Sequence, residues 1–213
     1  MSQTSPERIL QRWESLKTRR SPWEARWRPL AHYFAPARGR FGGAHSGGQR
    51  KDSSLLDNRG AMAARTVQAG LLAGLTNQAR PWFRLTTPDE ELADYPGVRE
   101  WLSETGKLLR TLFARTNTYA ALSNSYMEQA VFGTYAGMCL FDFETVQHEY
   151  SFNAGEYVLA ADEKGQVNTF LREFTMPVHA LVQAYGLERC SSEAQSLYRQ
   201  GNWDAEVTVL QAI

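Results

Sequence analysis

Phe132–Gly133–Thr134–Tyr135–Ala136–Gly137–Met138–Cys139–Leu140–Phe141–Asp142–Phe143 is the stretch at which this chain changes period. Before it, Thr118, Leu122, Tyr126, Met127 and Phe132 fall at the three-to-four-residue spacing of a helical face, with Thr118 as the cap. Gly133 follows as a left-handed terminator. Met138, Cys139, Leu140, Phe141 and Phe143 then form a short apolar run between that breaker and a polar turn, which predicts a strand. Helices upstream and strands downstream give an α+β chain, its N-terminal helices packed with a small antiparallel β meander.

Downstream, Glu149–Phe152, Glu156–Ala160 and Gln166–Phe174 alternate as strands. Asp162, Glu163, Lys164 and Gly165 join the last two, and the glycine suits the left-handed position of a short hairpin loop. Pro177–Tyr185 reads as a helix closed by Gly186, and Ser191 or Ser192 caps another that ends at Gly201. Glu206–Ile213 is a strand that runs to the terminus without a breaker, so the chain looks cut inside a strand that lacks a partner and exposes an edge.

Upstream, Ser5, Pro6 and Glu7 read as a cap with proline at the first helical position, followed by Ile9, Leu10, Trp13, Leu16 and Lys17 at helical spacing. Ser21, Pro22 and Glu24 repeat that signal, and predict a second helix with Trp23, Trp27, Leu30, Ala31 and Phe34 on one face and Pro36 as its stop. Residues 38–54 are rich in glycine, serine and base, which predicts an exposed loop. Between Leu56 and Leu75, Leu56, Ala63, Val67, Gly70, Leu71 and Gly74 share a face, and the glycines suit a close helix crossing. Arg59 and Arg65 in that helix speak against a membrane dimer motif. Pro81, Trp82, Phe83 and Leu85 read as a short strand. After Pro96 a long amphipathic helix turns Val98, Trp101, Leu102, Leu108, Leu109, Leu112 and Phe113 inward, with acid early and base late, as the helix dipole favours.

Formal charge balances at 23 basic against 23 acidic residues. The balance hides a basic opening, since the first fifty residues hold ten Arg and Lys from Arg8 to Arg50 against Glu7, Glu14 and Glu24. No apolar h-region opens the chain and no run is long enough to span a bilayer, which predicts synthesis in the cytosol and no membrane partner. Cys139 and Cys190 belong to no metal or redox motif and read as structural thiols.

The same search predicts neither a catalytic nor a metal site. His32, His45, His148 and His179 lack a ligand partner at metal-binding spacing, and no nucleophile or dinucleotide motif occurs. The cluster of Gly42, Gly43, Gly47 and Gly48 lacks the lysine that would hold phosphates, and Glu90 and Glu91 are neighbours about 100° apart on a helix, ordinary solvated charge. No cofactor is implied. The basic opening supports two readings. Tryptophans staple helices while arginines cover their solvated faces, or Arg38, Arg40 and Arg50 contact phosphates in a sequence-independent nucleic-acid-binding module.

The order of these local features resembles the head-to-tail connector (portal) family of short-tailed bacteriophages along nearly the whole chain. The similar stretches are Tyr33–Phe34–Ala35–Pro36 after the tryptophan-arginine helices, Ala69–Gly70–Leu71–Leu72, Arg80–Pro81–Trp82–Phe83, Val98–Leu102, Asn117, Phe132–Gly133–Thr134, Phe152 with Gly155–Glu156–Tyr157, and Gly165–Arg172. The resemblance implies a non-enzymatic subunit of a ring, usually a dodecamer, at the portal vertex of the virion. That ring passes DNA during packaging and ejection, nucleates the capsid, docks the terminase and receives tail adaptors. It also implies assembly from subunits in the host cytoplasm. Family members are more than twice this length, and their clip and stem regions follow the point where this chain ends. Residues 1–213 correspond to the N-terminal, wing-like region, either as a fragment or as a decayed prophage gene.

Overall fold

The computed structural model describes residues 5–36, 38, 41 and 57–213. Its helices are α1 (Pro6–Phe34), α2 (Arg59–Leu75), α3 (Glu90–Asp94), α4 (Pro96–Arg115), α5 (Thr118–Phe132), α6 (Val178–Tyr185) and α7 (Ser192–Arg199). The strands are β1 (Ala136–Asp142), β2 (Val146–Phe152), β3 (Tyr157–Ala161), β4 (Val167–Pro177) and β5 (Glu206–Ala212). The fold is α+β, and the chain divides into two compact units, one of residues up to Glu24 together with Gly155–Ile213 and one of Ala25–Ala154.

In the first unit β3, β4 and β5 form an antiparallel sheet in that order, with Val158 opposite Leu171 and Phe174 opposite Val209. The last strand therefore has a partner, contrary to expectation, because β4 offers an edge on each side. Ile9, Trp13 and Leu16 recur at i, i+4 and i+7 on α1 and lie in one cluster with Val158, Ala160, Leu171 and Leu210. Trp13 is 4% exposed. At the margin of this core Arg12 donates to Thr169 Oγ1 at 2.9 Å, and Arg20 donates to the Tyr157 carbonyl while pairing with Glu24 at 2.6 Å. Ser191 caps α7 by accepting from the Ala194 N–H, as its sequence position predicts.

In the second unit the central helix is α5, whose Ala121, Ser125, Tyr126, Met127 and Glu128 are all buried. Gly133 ends it in the left-handed region at φ 72°, as read from sequence. On α2, Gln68 donates to Ser123 of α5, and the Tyr126 hydroxyl donates to Thr76 at 3.1 Å. β1 and β2 make a separate two-stranded hairpin with Ala136 opposite Phe152. The expected single meander is thus two sheets. A hairpin alone is marginal in water, and this one lies against α5.

Several local expectations yield to tertiary packing. Pro22 starts no second helix: α1 runs unbroken for 29 residues, through Pro22 and also Pro29. Both prolines are exposed, and so are Thr18 and Ala25, whose carbonyls lose the i+4 donor, so water can take the donor's place. Trp23 (56%) and Phe34 (39%) stay exposed, while Trp27, Leu30 and Ala31 turn into the core. Gly70 and Gly74 meet nothing, and the close approach is at Gly60, where a Cβ would lie 2.8 Å from the Tyr33 carbonyl. Leu56 lies outside the described residues, and α2 begins at Arg59. Residues 81–85 pair with no strand; Trp82 instead stacks on Phe113 of α4 with Phe83 tilted against the same ring, and Trp82 donates to the Tyr119 hydroxyl at 3.1 Å. Thr87–Pro88–Asp89 starts the short α3 with Asp89 accepting from the N–H groups of Glu91 and Leu92.

Candidate functional site

Of the three arginines proposed to meet phosphate, Arg40 and Arg50 lie outside the described residues, as does most of the 38–54 loop. Arg38 is placed, and it faces protein. Its guanidinium lies 3.4 Å from Glu128 Oε1 and donates to the Asn124 side-chain oxygen. Glu128 is 1% exposed, and its other oxygen accepts from the Ala154 N–H at 2.9 Å. A carboxylate taken this far from water requires such partners, so the pair ties the chain after α1 to α5 and to the end of the hairpin. Three residues on, Phe41 is 8% exposed where an exposed loop was expected. It sits 6.0 Å from Trp27 and 5.8 Å from Phe132, ring centroid to centroid, edge-on to the latter. Trp27 in turn donates its indole N–H to the Phe132 carbonyl at 3.1 Å, satisfying a helix end.

The beginning of the basic segment is therefore nailed into the core by one charged and one aromatic side chain. Composition could show neither partner: Glu128 follows Arg38 by ninety residues and sits among apolar neighbours. An acidic residue on the apolar side of a helix was the available signal.

Asn117 holds the hairpin from outside. Its carboxamide donates to the Glu149 carbonyl at 2.7 Å and accepts from the Glu149 N–H at 2.9 Å. Next to it an open pocket of about 320 Å³ is lined by Thr118, Ala121, Leu122, Tyr135, Met138 and Cys139, among others. Burial pushes the Cys139 thiol up, with the hydrogen bond and charge of Glu149 adding to it, so the thiolate that nucleophilic chemistry needs is disfavoured. Among the described residues no group of three or more His, Cys, Asp or Glu converges as a metal site. No described helix is long and apolar enough to cross a membrane.

Among the exposed apolar side chains of the described residues, two groups in the second unit stand on defined elements. At the hairpin tip Phe143 is 95% and Phe141 70% exposed, their rings edge-on at 5.0 Å. The Asp142 carboxylate accepts from Thr145 Oγ1 at 2.5 Å and from the Thr145 N–H at 3.1 Å, and these bonds, with that from the Glu144 N–H, hold its pKa below the ordinary aspartate value. Among the described residues Val146 is the one non-glycine at positive φ, 74°, in the place where such a loop favours glycine. The second feature is α4. It has no buried residue, and Trp101 (62%) and Leu108 (70%), one heptad apart, face solvent instead of turning inward as expected. These features present exposed apolar side chains and, among the described residues, no convergent group of titratable residues.

Comparison with known proteins gives the family. The model of the bacteriophage head to tail connecting protein family matches residues 6–213. The chain is 41% identical over 212 residues to the probable portal protein of Bordetella phage BPP-1, covering 99% of this chain and 38% of that protein. It is 32% identical over 210 residues to the portal protein of Salmonella phage epsilon15, again covering 38% of the relative. The chain thus spans well under half the length of the curated relatives it matches.

Proposed function

The chain belongs to the bacteriophage head-to-tail connecting protein family, and on that premise we propose that it serves as a structural, non-catalytic subunit of a portal ring at one capsid vertex. The observation that carries this is the unbroken match over residues 6–213, in which no unit of the fold is left outside the family. In this reading residues 1–213 supply the N-terminal, wing-like region. The ring passes DNA in packaging and ejection, and joins head to tail. Its partners are further copies of the chain, capsid protein, terminase, tail adaptors and the DNA itself. Assembly takes place in the host cytoplasm and the product resides in the virion.

The basic residues keep a role here. Arg38 offers DNA only what its bonds to Glu128 and Asn124 leave over, so Arg40 and Arg50 are the stronger candidates for phosphate contact. Neutralising Arg40 and Arg50 should weaken DNA retention and flatten its salt dependence, and unchanged retention at low salt would remove that role. For the ring itself, light scattering with negative-stain electron microscopy of the purified chain is the test. Closed rings of one discrete size support the proposal. Association that stops at a dimer at every concentration contradicts it.

A further inference from the structure

The hairpin tip and the outer strip of α4 differ in charge. The hairpin tip is acidic: Glu144 is exposed beside Phe143, and the Asp142 carboxylate lies on the other side of that ring in sequence. Along the outer strip of α4 the charge reverses. Toward its N-terminal end the exposed charges are Arg99, Glu100 and Glu104, the last one turn before Leu108, whereas beyond Glu104 they are Lys107 and Arg115. Neither Glu144 nor Lys107 is in an ion pair among the described residues. An acidic aromatic tip is disfavoured beside Glu100 and Glu104 and favoured toward Lys107 and Arg115, so charge favours the C-terminal part of the strip.

We propose that the hairpin tip of one copy, Phe141–Phe143–Glu144, docks head to tail on the Leu108–Lys107 end of α4 in a neighbouring copy. The occupant is a second copy because both halves of the contact lie on one chain and are different patches. Two distinct complementary patches make a heterologous contact, the kind that propagates around a ring; a two-fold dimer needs one self-complementary patch. Two exposed aromatic rings in mutual contact are anchors of the type that dominate such interfaces. Turning Val146 into the left-handed region is the local strain that goes with this presentation. The inference rests on the ring reading and adds to it the residues that meet.

Sedimentation equilibrium of the full chain, up to about 1 mM, reads the association directly. All the substitutions are at exposed positions, where changes usually alter stability little, and far-UV circular dichroism checks that each variant is folded. Glu144→Lys and Lys107→Glu should each weaken self-association roughly tenfold, and their combination should regain most of that loss. Phe143→Ala should weaken it by about thirtyfold. Association equal in all four variants and wild type overturns the contact while leaving the ring, built through other surfaces, intact. A wild-type chain that stays monomeric throughout also overturns it. Association limited to dimers in electron micrographs is the separate failure of the ring reading, whatever the variants do.

Discussion

The Asn117 carboxamide occupies the place of a neighbouring strand beside Glu149, meeting both the N–H and the C=O of one residue, at 2.9 and 2.7 Å. β2 is paired with β1 along its other edge, so at this point the two-stranded hairpin behaves as though it had a third member. The residue sits in the two-residue step between α4 and α5, so the joint between those helices also fixes the sheet.

Asn117→Ala should therefore destabilise by about 1–3 kcal/mol, the cost of leaving partly buried backbone groups without partners. Hydrogen exchange at the Glu149 amide should accelerate before global unfolding does. Asn117→Asp retains the acceptor but sets a carboxylate oxygen against the Glu149 carbonyl, and should recover little of the loss.

Arg38→Ala removes the cation beside the Glu128 carboxylate, which keeps its bond from the Ala154 N–H, and urea denaturation should show a loss of about 1–3 kcal/mol. Glu128→Gln should cost less, because the amide oxygen can still accept from Ala154 N–H.

Pro22→Ala restores the backbone donor to the Thr18 carbonyl within an already helical segment. Thermal melting should show a gain of up to about 3 kcal/mol, the intrinsic difference between the two residues inside a helix. Trp13→Ala, nine positions earlier and 4% exposed, should lose about 3–5 kcal/mol.

The hairpin turn should respond to acid. Hydrogen bonds to the ionised form lower the Asp142 pKa in the folded chain, so its contribution to stability is present above the unfolded value and is lost as pH falls through the lower folded one. Amide exchange at Thr145 should rise across that interval at the acid end and stay flat near neutrality. Asp142→Asn should abolish the dependence.

Sequence and structure agree where a single local cause suffices. Gly133 ends α5, Gly165 closes the β3–β4 turn at φ 77°, and Ser191 caps α7, each because one residue type satisfies one backbone requirement. They part where the cause lies elsewhere in the chain. The Ser21–Pro22–Glu24 signal is genuine locally but is overruled by the packing of Trp13 and Leu16 before it and of Trp27 and Leu30 after it. Periodicity located the apolar residues of α4 but carries no information about whether anything covers them. Arg38 could be seen to be basic, but not to be already engaged. The second half of that site, Glu128, becomes recognisable only when α5 and the end of the hairpin are brought together.

Val146 gives an engineer a simple handle. A β-branched residue in the left-handed region carries a backbone penalty of about 1–2 kcal/mol that glycine does not, and at 55% exposure its side chain returns little packing. Val146→Gly should thus be an unusual glycine substitution, one that raises thermostability after the added chain entropy is subtracted. Valine at that position is a choice no optimisation of melting temperature would make, and a hardened version of this protein for structural work could begin there.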